Sequence, residues 1–171
     1  MTDPEFREAY GRHKDVLYRF AWRMTGSPAA AEDVVQDCFL ALLRNPAAYD
    51  HQRGTLRSFL IGVTRNLALK RLRGERPFEE LDDESAICQP IDSDGHDRAE
   101  IVSQAVAALP PLQRETLILA EYEEMSLDEI ARAVAADLAA VKSRLHRARE
   151  NLRRMLAPLL EVKGTAYGSN R

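Results

Sequence analysis

Apolar residues recur at steps of three and four along most of this 171-residue chain. That is the spacing of one helix face, not the alternation of a half-buried strand. The pattern predicts an all-α protein. A first helix is expected over Pro4 to Met24, with Phe6, Tyr10, Leu17, Phe20, Ala21 and Met24 on one face. Gly26 stops it, and Ser27-Pro28 restarts a helix with an N-cap and a proline in the first turn. This second helix runs to Asn45-Pro46 with Val34, Val35, Cys38, Phe39 and Leu42 as its apolar side. After the loop NPAAYDHQRG, a third helix, TLRSFLIGVTRNLALKRLRG, turns Leu56, Phe59, Leu60, Val63, Leu67 and Leu72 inward.

Helical periodicity resumes at about Ala99 and runs to Leu109 before Pro110-Pro111, then from about Leu112 to Tyr122. The stretch SLDEIARAVAADLAAVKSRLHRARENLRR then reads as two helices joined by a tight turn. Ser126 and Glu129 form a capping box for the first, whose stripe is Leu127, Ile130, Ala131 and Val134. Asp137 caps the second, which faces inward through Leu138, Val141, Leu145, Ala148 and Leu152. Leu159 and Leu160, after Pro158, are expected to close this core.

Between the two blocks the periodicity fails. FEELDDESAICQPIDSDGHD mixes prolines, glycine and acidic clusters, with too few apolar residues to bury. The expected organisation is two small helical domains, residues 1–76 and 99–160, joined by a flexible acidic linker at 77–98. A disordered tail is expected at 161–171.

Charge changes the picture only when divided along the chain. The formal net charge is −3. Residues 1–76 carry 13 basic and 9 acidic side chains, residues 77–100 carry 1 and 9, and residues 101–171 carry 10 and 9. The acidity therefore belongs to the middle segment, and both flanks are mildly basic. From Leu138 to Arg154 there are six basic residues against Glu150 alone. A capped helix, a turn and a basic helix match the helix-turn-helix pattern, whose second helix enters a DNA major groove. A solvated, Arg-rich surface helix fits this stretch as well. In the second helix, Glu32, Asp33, Gln36 and Asp37 share one face. Acidic residues near a helix start offset the macrodipole, and a docking face for a basic partner is the other account.

No apolar run approaches the ~20 residues of a membrane span, and MTDPEFREAY lacks a signal peptide's apolar core, so a cytoplasmic location is expected. Cys38 and Cys88 stand alone, without metal-ligand spacing. His13, His51, His96 and His146 are scattered, with no H-E-x-x-H, P-loop or nucleophile elbow. No enzyme activity, metal or cofactor is expected.

Two blocks carry a family likeness. AAAEDVVQDCFLALLRN and RSFLIGVTRNLALKRLR resemble the core-binding and promoter-melting segments of bacterial sigma factors. ALPPLQRETLILAEYEEMSLDEIARAVAADLAAVKSRLHRARENLRR resembles their C-terminal upstream-box reader. Order and spacing resemble the extracytoplasmic-function (ECF) group, over roughly Glu5 to Leu156.

The resemblance implies roles residue by residue. Asp33, Gln36 and Asp37 fall where the family meets the coiled coil of the largest subunit of core RNA polymerase. Tyr49, Arg53, Phe59, Arg65, Asn66, Lys70 and Arg73 fall on the surface for the downstream (−10) box and its melting. There the loop Ala48 to Gly54 would capture a flipped base. Lys142, Ser143, His146 and Arg147 fall on readers of the upstream (−35) box, with Arg144 and Arg149 toward phosphates. The implied partners are core RNA polymerase, promoter DNA and an anti-sigma factor. Three departures stand out. Phe59 replaces the usual Trp, Ala139-Ala140 replaces Gly-Thr, and Ala135 stands at a turn position that is commonly Gly. If that position needs φ > 0, Ala costs on the order of 1 kcal/mol. An ordinary helix-turn-helix regulator, binding its operator without polymerase, is the alternative.

Overall fold

The computed structural model describes residues 1–74 and 84–165, the last four as backbone only. Local caps set the helix starts. Thr2 and Glu5 close a reciprocal capping box on α1 (Asp3–Thr25), and Gly26 ends that helix at φ 69°. This T-x-x-E box lies in plain view at the N-terminus but was not among the starts expected above. Ser27 accepts from the Ala30 amide at 3.2 Å, with Pro28 first in α2 (Pro28–Arg44). A 3-10 turn at Pro46–Ala48 leads to the loop, and Thr55 caps α3 (Leu56–Arg73) through the Ser58 amide at 3.1 Å. In the second half, Asp97 caps α4 (Arg98–Ala108). Helix α5 (Pro111–Leu117) continues into a π-helical turn at Ile118–Tyr122. The Ser126–Glu129 box starts α6 (Leu127–Ala133), and Asp137 accepts from the Ala140 amide at 2.7 Å at the head of α7 (Leu138–Thr165). Every regular element among the described residues is helical, as the periodicity predicts.

Leu17, Phe20, Ala21, Met24, Val34, Val35, Cys38, Phe39 and Leu42 are buried where α1 and α2 meet α3. Each large apolar side chain removed from water in this way contributes roughly 1.5–3 kcal/mol. Tyr10 stays 44% exposed, its ring 4.9 Å from that of Phe39. The Cys38 thiol donates to the Leu60 carbonyl at 3.6 Å, and burial pushes its pKa up, which makes it an inert core group.

The inward face of α3 differs from expectation. Leu60 is buried, but so are Ile61, Thr64, Arg65, Ala68 and Leu69, whereas Phe59, Val63 and Leu67 are only half-buried. The cause is that α3 packs on two sides, against α1 and α2 and against α5 and α6. A single-stripe assignment fits a helix with one neighbour.

The second half also shows differences. Leu138 is 36% exposed and Leu160 60%, so neither closes the core; Asn151 and Met155 are buried instead. Helix α7 continues through Pro158 to Thr165, into the expected tail, whose residues 166–171 lie outside the described residues. Of the expected linker, residues 75–83 also lie outside. Residues 84–91 are tied to α7. The Ile91 amide donates to the Met155 carbonyl at 3.0 Å and the Cys88 amide to Asn151 Oδ1 at 3.0 Å. Cys88 and Ile91 supply apolar contact, and Asn151 satisfies the backbone, so this part does not need a dense apolar run to stay seated.

Candidate nucleic-acid interface

Helix α2 carries the acidic face intact. Glu32, Asp33, Gln36 and Asp37 are all exposed, and the Arg71 Nη2 of α3 donates to Asp33 Oδ2 at 3.1 Å. One and two turns further on, Leu40 and Leu43 stand 43% and 48% exposed in the same stripe. The sequence reading missed these two. Their signal is an apolar residue on the polar side of an otherwise well-patterned helix.

Around the loop after α2, the Tyr49 hydroxyl donates to the Gly54 carbonyl at 3.3 Å, and its ring lies 5.6 Å from Phe59. The aromatic pair forms one wall of a cleft of about 810 Å³, shared by Arg53, Asn66, Arg132 and Ala133. Tyr49, Arg53, Phe59 and Asn66 are thus brought together. Lys70 is exposed one turn beyond Asn66, and Arg73 lies at the end of α3, half-buried.

Arg65 is buried instead of lying on an open face. Expected on a DNA-facing surface, it is 7% exposed in this arrangement. Its Nε donates to Glu115 Oε2 at 2.6 Å and its Nη2 to Glu115 Oε1 at 2.9 Å. Its Nη1 donates to Asn66 Oδ1 at 3.1 Å. The fork-to-fork geometry is the one guanidinium adopts with carboxylate or phosphate. Glu115 belongs to α5, in the other half of the chain, and is wholly buried. Sequence reasoning could not pair residues fifty positions apart.

Further contacts join the halves around this pair. Arg57 Nη2 donates to the Glu123 carbonyl and to its Oε2, at 3.1 and 3.3 Å. Arg114 donates to the Met24 carbonyl, and burial lowers its guanidinium pKa. The Arg23 guanidinium stands 4.1 Å from the Tyr122 ring centroid. A Cβ on Gly62 would meet the Ala133 carbonyl oxygen at 3.0 Å, so glycine lets α6 approach α3 closely.

The basic helix presents a different surface. Lys142, Ser143, His146 and Arg149 are exposed on α7, while Arg144 and Arg147 are half-buried. Arg149 pairs with Glu121 at 2.5 Å, and Arg147 with Glu84 at 3.4 Å. The turn before α7 holds Ala135 at φ 51°, the left-handed conformation anticipated for a position usually given to glycine. Asn151, 2% exposed, holds the back of this helix. Its Nδ2 donates to the Ala86 carbonyl at 3.1 Å and to Gln113 Oε1 at 3.0 Å.

Among the described residues there is no cluster of side chains that could hold a metal, and no helix is long and apolar enough to cross a membrane.

Comparison with known families places both halves. The Sigma-70 region 2 family matches residues 9–78, and the Sigma-70, region 4 family matches residues 99–152. The ECF RNA polymerase sigma factor SigE of Mycolicibacterium smegmatis is 33% identical over 163 residues, covering 90% of this chain and 62% of that protein. SigW of Bacillus subtilis, also an ECF RNA polymerase sigma factor, is 29% identical over 169 residues, covering 90% of each. Two solved structures share the fold. One is the sigma factor RpoE in complex with the anti-sigma factor NepR from Bartonella quintana, with TM-score 0.70 and 23% identity over 90% of this chain and 97% of that one. The other is CnrH in complex with the cytosolic domain of CnrY, with TM-score 0.68 and 24% identity over 94% of this chain and 90% of that one.

Proposed function

Because this chain belongs to the ECF group of bacterial RNA polymerase sigma factors, we propose that it is a promoter-specificity subunit: it binds core polymerase and directs where transcription starts. The carrying observation is that regions 2 and 4 both match on one chain, with an exposed acidic face on α2, ahead of the basic helices α3 and α7 in sequence. The proposed division of labour follows. Asp33, Gln36 and Asp37 dock on a basic coiled coil of the largest polymerase subunit. Tyr49, Arg53, Phe59, Arg65, Asn66, Lys70 and Arg73 handle the downstream box and its melting; an aromatic stack on an unpaired base contributes ~1–3 kcal/mol. Lys142, Ser143, His146 and Arg147 read the upstream box, and Arg144 and Arg149 hold phosphates. Two weak DNA contacts held by one enzyme reinforce each other through effective concentration. The chain supplies no covalent chemistry on this reading, acts in the cytoplasm, and is open to control by an anti-sigma partner.

Run-off transcription on a genomic library, with the purified chain added to sigma-free core polymerase, should give discrete starts. Absence of any defined start defeats the proposal. Asp33→Arg combined with Asp37→Arg should abolish retention on immobilised core enzyme while the helical circular dichroism is unchanged.

A further inference from the structure

The promoter-melting surface and the upstream-box reader do not stand free of one another. Arg65, which the proposed function assigns to DNA, is occupied by a carboxylate from the opposite half. That carboxylate makes the paired contact a phosphate would make. Helix α6 closes over the same place: Arg132 and Ala133 wall the cleft that holds Tyr49, Phe59 and Asn66. Gly62 permits the approach, and Arg57–Glu123, Arg114–Met24 and Arg23–Tyr122 ring the contact. Most of these partners are polar, and they would be hydrated if the halves separated. Apolar side chains of both halves also meet in one continuous cluster, so parting exposes some of that surface as well.

From this arrangement we infer that Glu115 is the latch of a self-inhibited form: it occupies Arg65 in the free chain and yields that guanidinium to nucleic-acid phosphate when the halves part. The inference rests on the proposed function for the identity of the masked ligand. It makes the closed and DNA-bound states mutually exclusive at one side chain. Any partner that draws the halves apart therefore raises DNA affinity without touching Arg65, and reciprocally DNA favours the open form.

Two substitutions loosen the latch from opposite sides without altering a DNA-contacting residue. Glu115→Gln keeps the shape and removes the charge. Gly62→Leu keeps the charge and drives a side chain into the Ala133 carbonyl. Glu100→Gln, an exposed carboxylate on α4, controls for the change in net charge. Each full-length protein is titrated against a fluorescein-labelled single-stranded oligonucleotide by anisotropy, and its radius of gyration is measured by X-ray scattering. Circular dichroism verifies the helices. Both latch variants are expected to bind the oligonucleotide at least about fivefold more tightly than wild type, the lower end of ordinary allosteric couplings. Their radius of gyration should exceed the ~16 Å of a compact chain of this length, and Glu100→Gln should match wild type. Helical variants with unchanged affinity and radius overturn the inference, as does an equal gain in Glu100→Gln. The two proposals fail separately. A chain that opens and gains affinity, yet directs no transcript, keeps the latch and loses the promoter function. Active transcription with latch variants indistinguishable from wild type does the reverse.

Discussion

Helices α3 and α7 are both basic and both assigned to DNA, yet they sit in opposite surroundings. Helix α7 has one neighbourly side, and its Lys142, Ser143, His146 and Arg149 project into solvent. Helix α3 is held on two sides, and its Arg65 is sealed against Glu115. The same residue type therefore carries different energetic weight in the two helices. An exposed arginine is a solvated charge with little bearing on stability, whereas a buried one is bound to the survival of its partner.

The contrast is sharpest in a pair of alanine substitutions. Arg65→Ala removes the guanidinium that holds both oxygens of the wholly buried Glu115 carboxylate. The expected loss is about 3–5 kcal/mol of closed-state stability, reduced to the extent that the halves separate and hydrate it. Arg149→Ala removes an exposed pair and should change stability by less than about 1 kcal/mol. Urea unfolding followed by circular dichroism measures both. Similar losses at the two sites would dissolve the distinction between the helices.

Next in size is Asn151, where α7 is attached to residues 84–91. Asn151→Ala removes the side-chain partner of the Cys88 amide and of the Ala86 carbonyl, and one contact of Gln113. The expected loss is about 2–4 kcal/mol, given ~1–3 kcal/mol for each buried group left unsatisfied and partial access of water to this edge. Release of the strap should also speed labelling of Cys88 by a thiol reagent, while Cys38 stays protected in the core. Unchanged Cys88 reactivity would mean that the strap is held by its apolar contacts instead.

These cases show where the sequence is informative. Start and stop signals at Ser27-Pro28, Gly26, Ser126–Glu129 and Asp137 depend on residues within four positions, and the structure uses each of them. The stripe of α2 was legible, since every residue expected in it is buried, whereas α1, which meets both halves, also buries Ala9, His13 and Val16 outside its expected stripe. Helix α3 was not legible in this way, since its second face is created by α5 and α6, and Thr64 and Arg65 look solvent-facing until those helices arrive. The candidate residues on α7 and in the loop at Tyr49 were likewise visible as local patterns. Glu115, Glu84 and Asn151 act across distances that periodicity does not encode, and nothing local in PLQRETL marks its glutamate as buried.

Backbone strain gives a smaller effect on the α7 side. Ala135 at φ 51° lies in the turn that sets the angle between α6 and α7. Ala135→Gly removes the Cβ clash but gives the unfolded chain more freedom to lose. The two terms offset in part and leave a gain under about 1 kcal/mol. Calorimetry should register that as a melting temperature higher by roughly 1–3 °C. A lower melting temperature would show that the turn's conformation is imposed without strain.

The smallest effect belongs to the α3 side and depends on pH. His13 is buried on α1, and its pKa is held below the ordinary imidazole value of 6.5, first by burial and then by the positive charges of Arg12 and Arg57. A histidine depressed in the folded chain is neutral there while the unfolded chain already takes up a proton below 6.5. Unfolding therefore binds protons, and stability is complete above that value and declines as the pH falls beneath it. Arg57 is also the side chain that holds Glu123 across the two halves, so a proton on His13 adds charge beside one of the contacts that join them. Denaturation midpoints measured between about pH 7 and pH 5.5, above the range where ordinary carboxylates titrate, should fall with pH in the wild type and stay flatter in His13→Gln. An identical slope in both proteins would assign the pH response elsewhere and leave α1 without a titrating group that distinguishes its side of the molecule from α7.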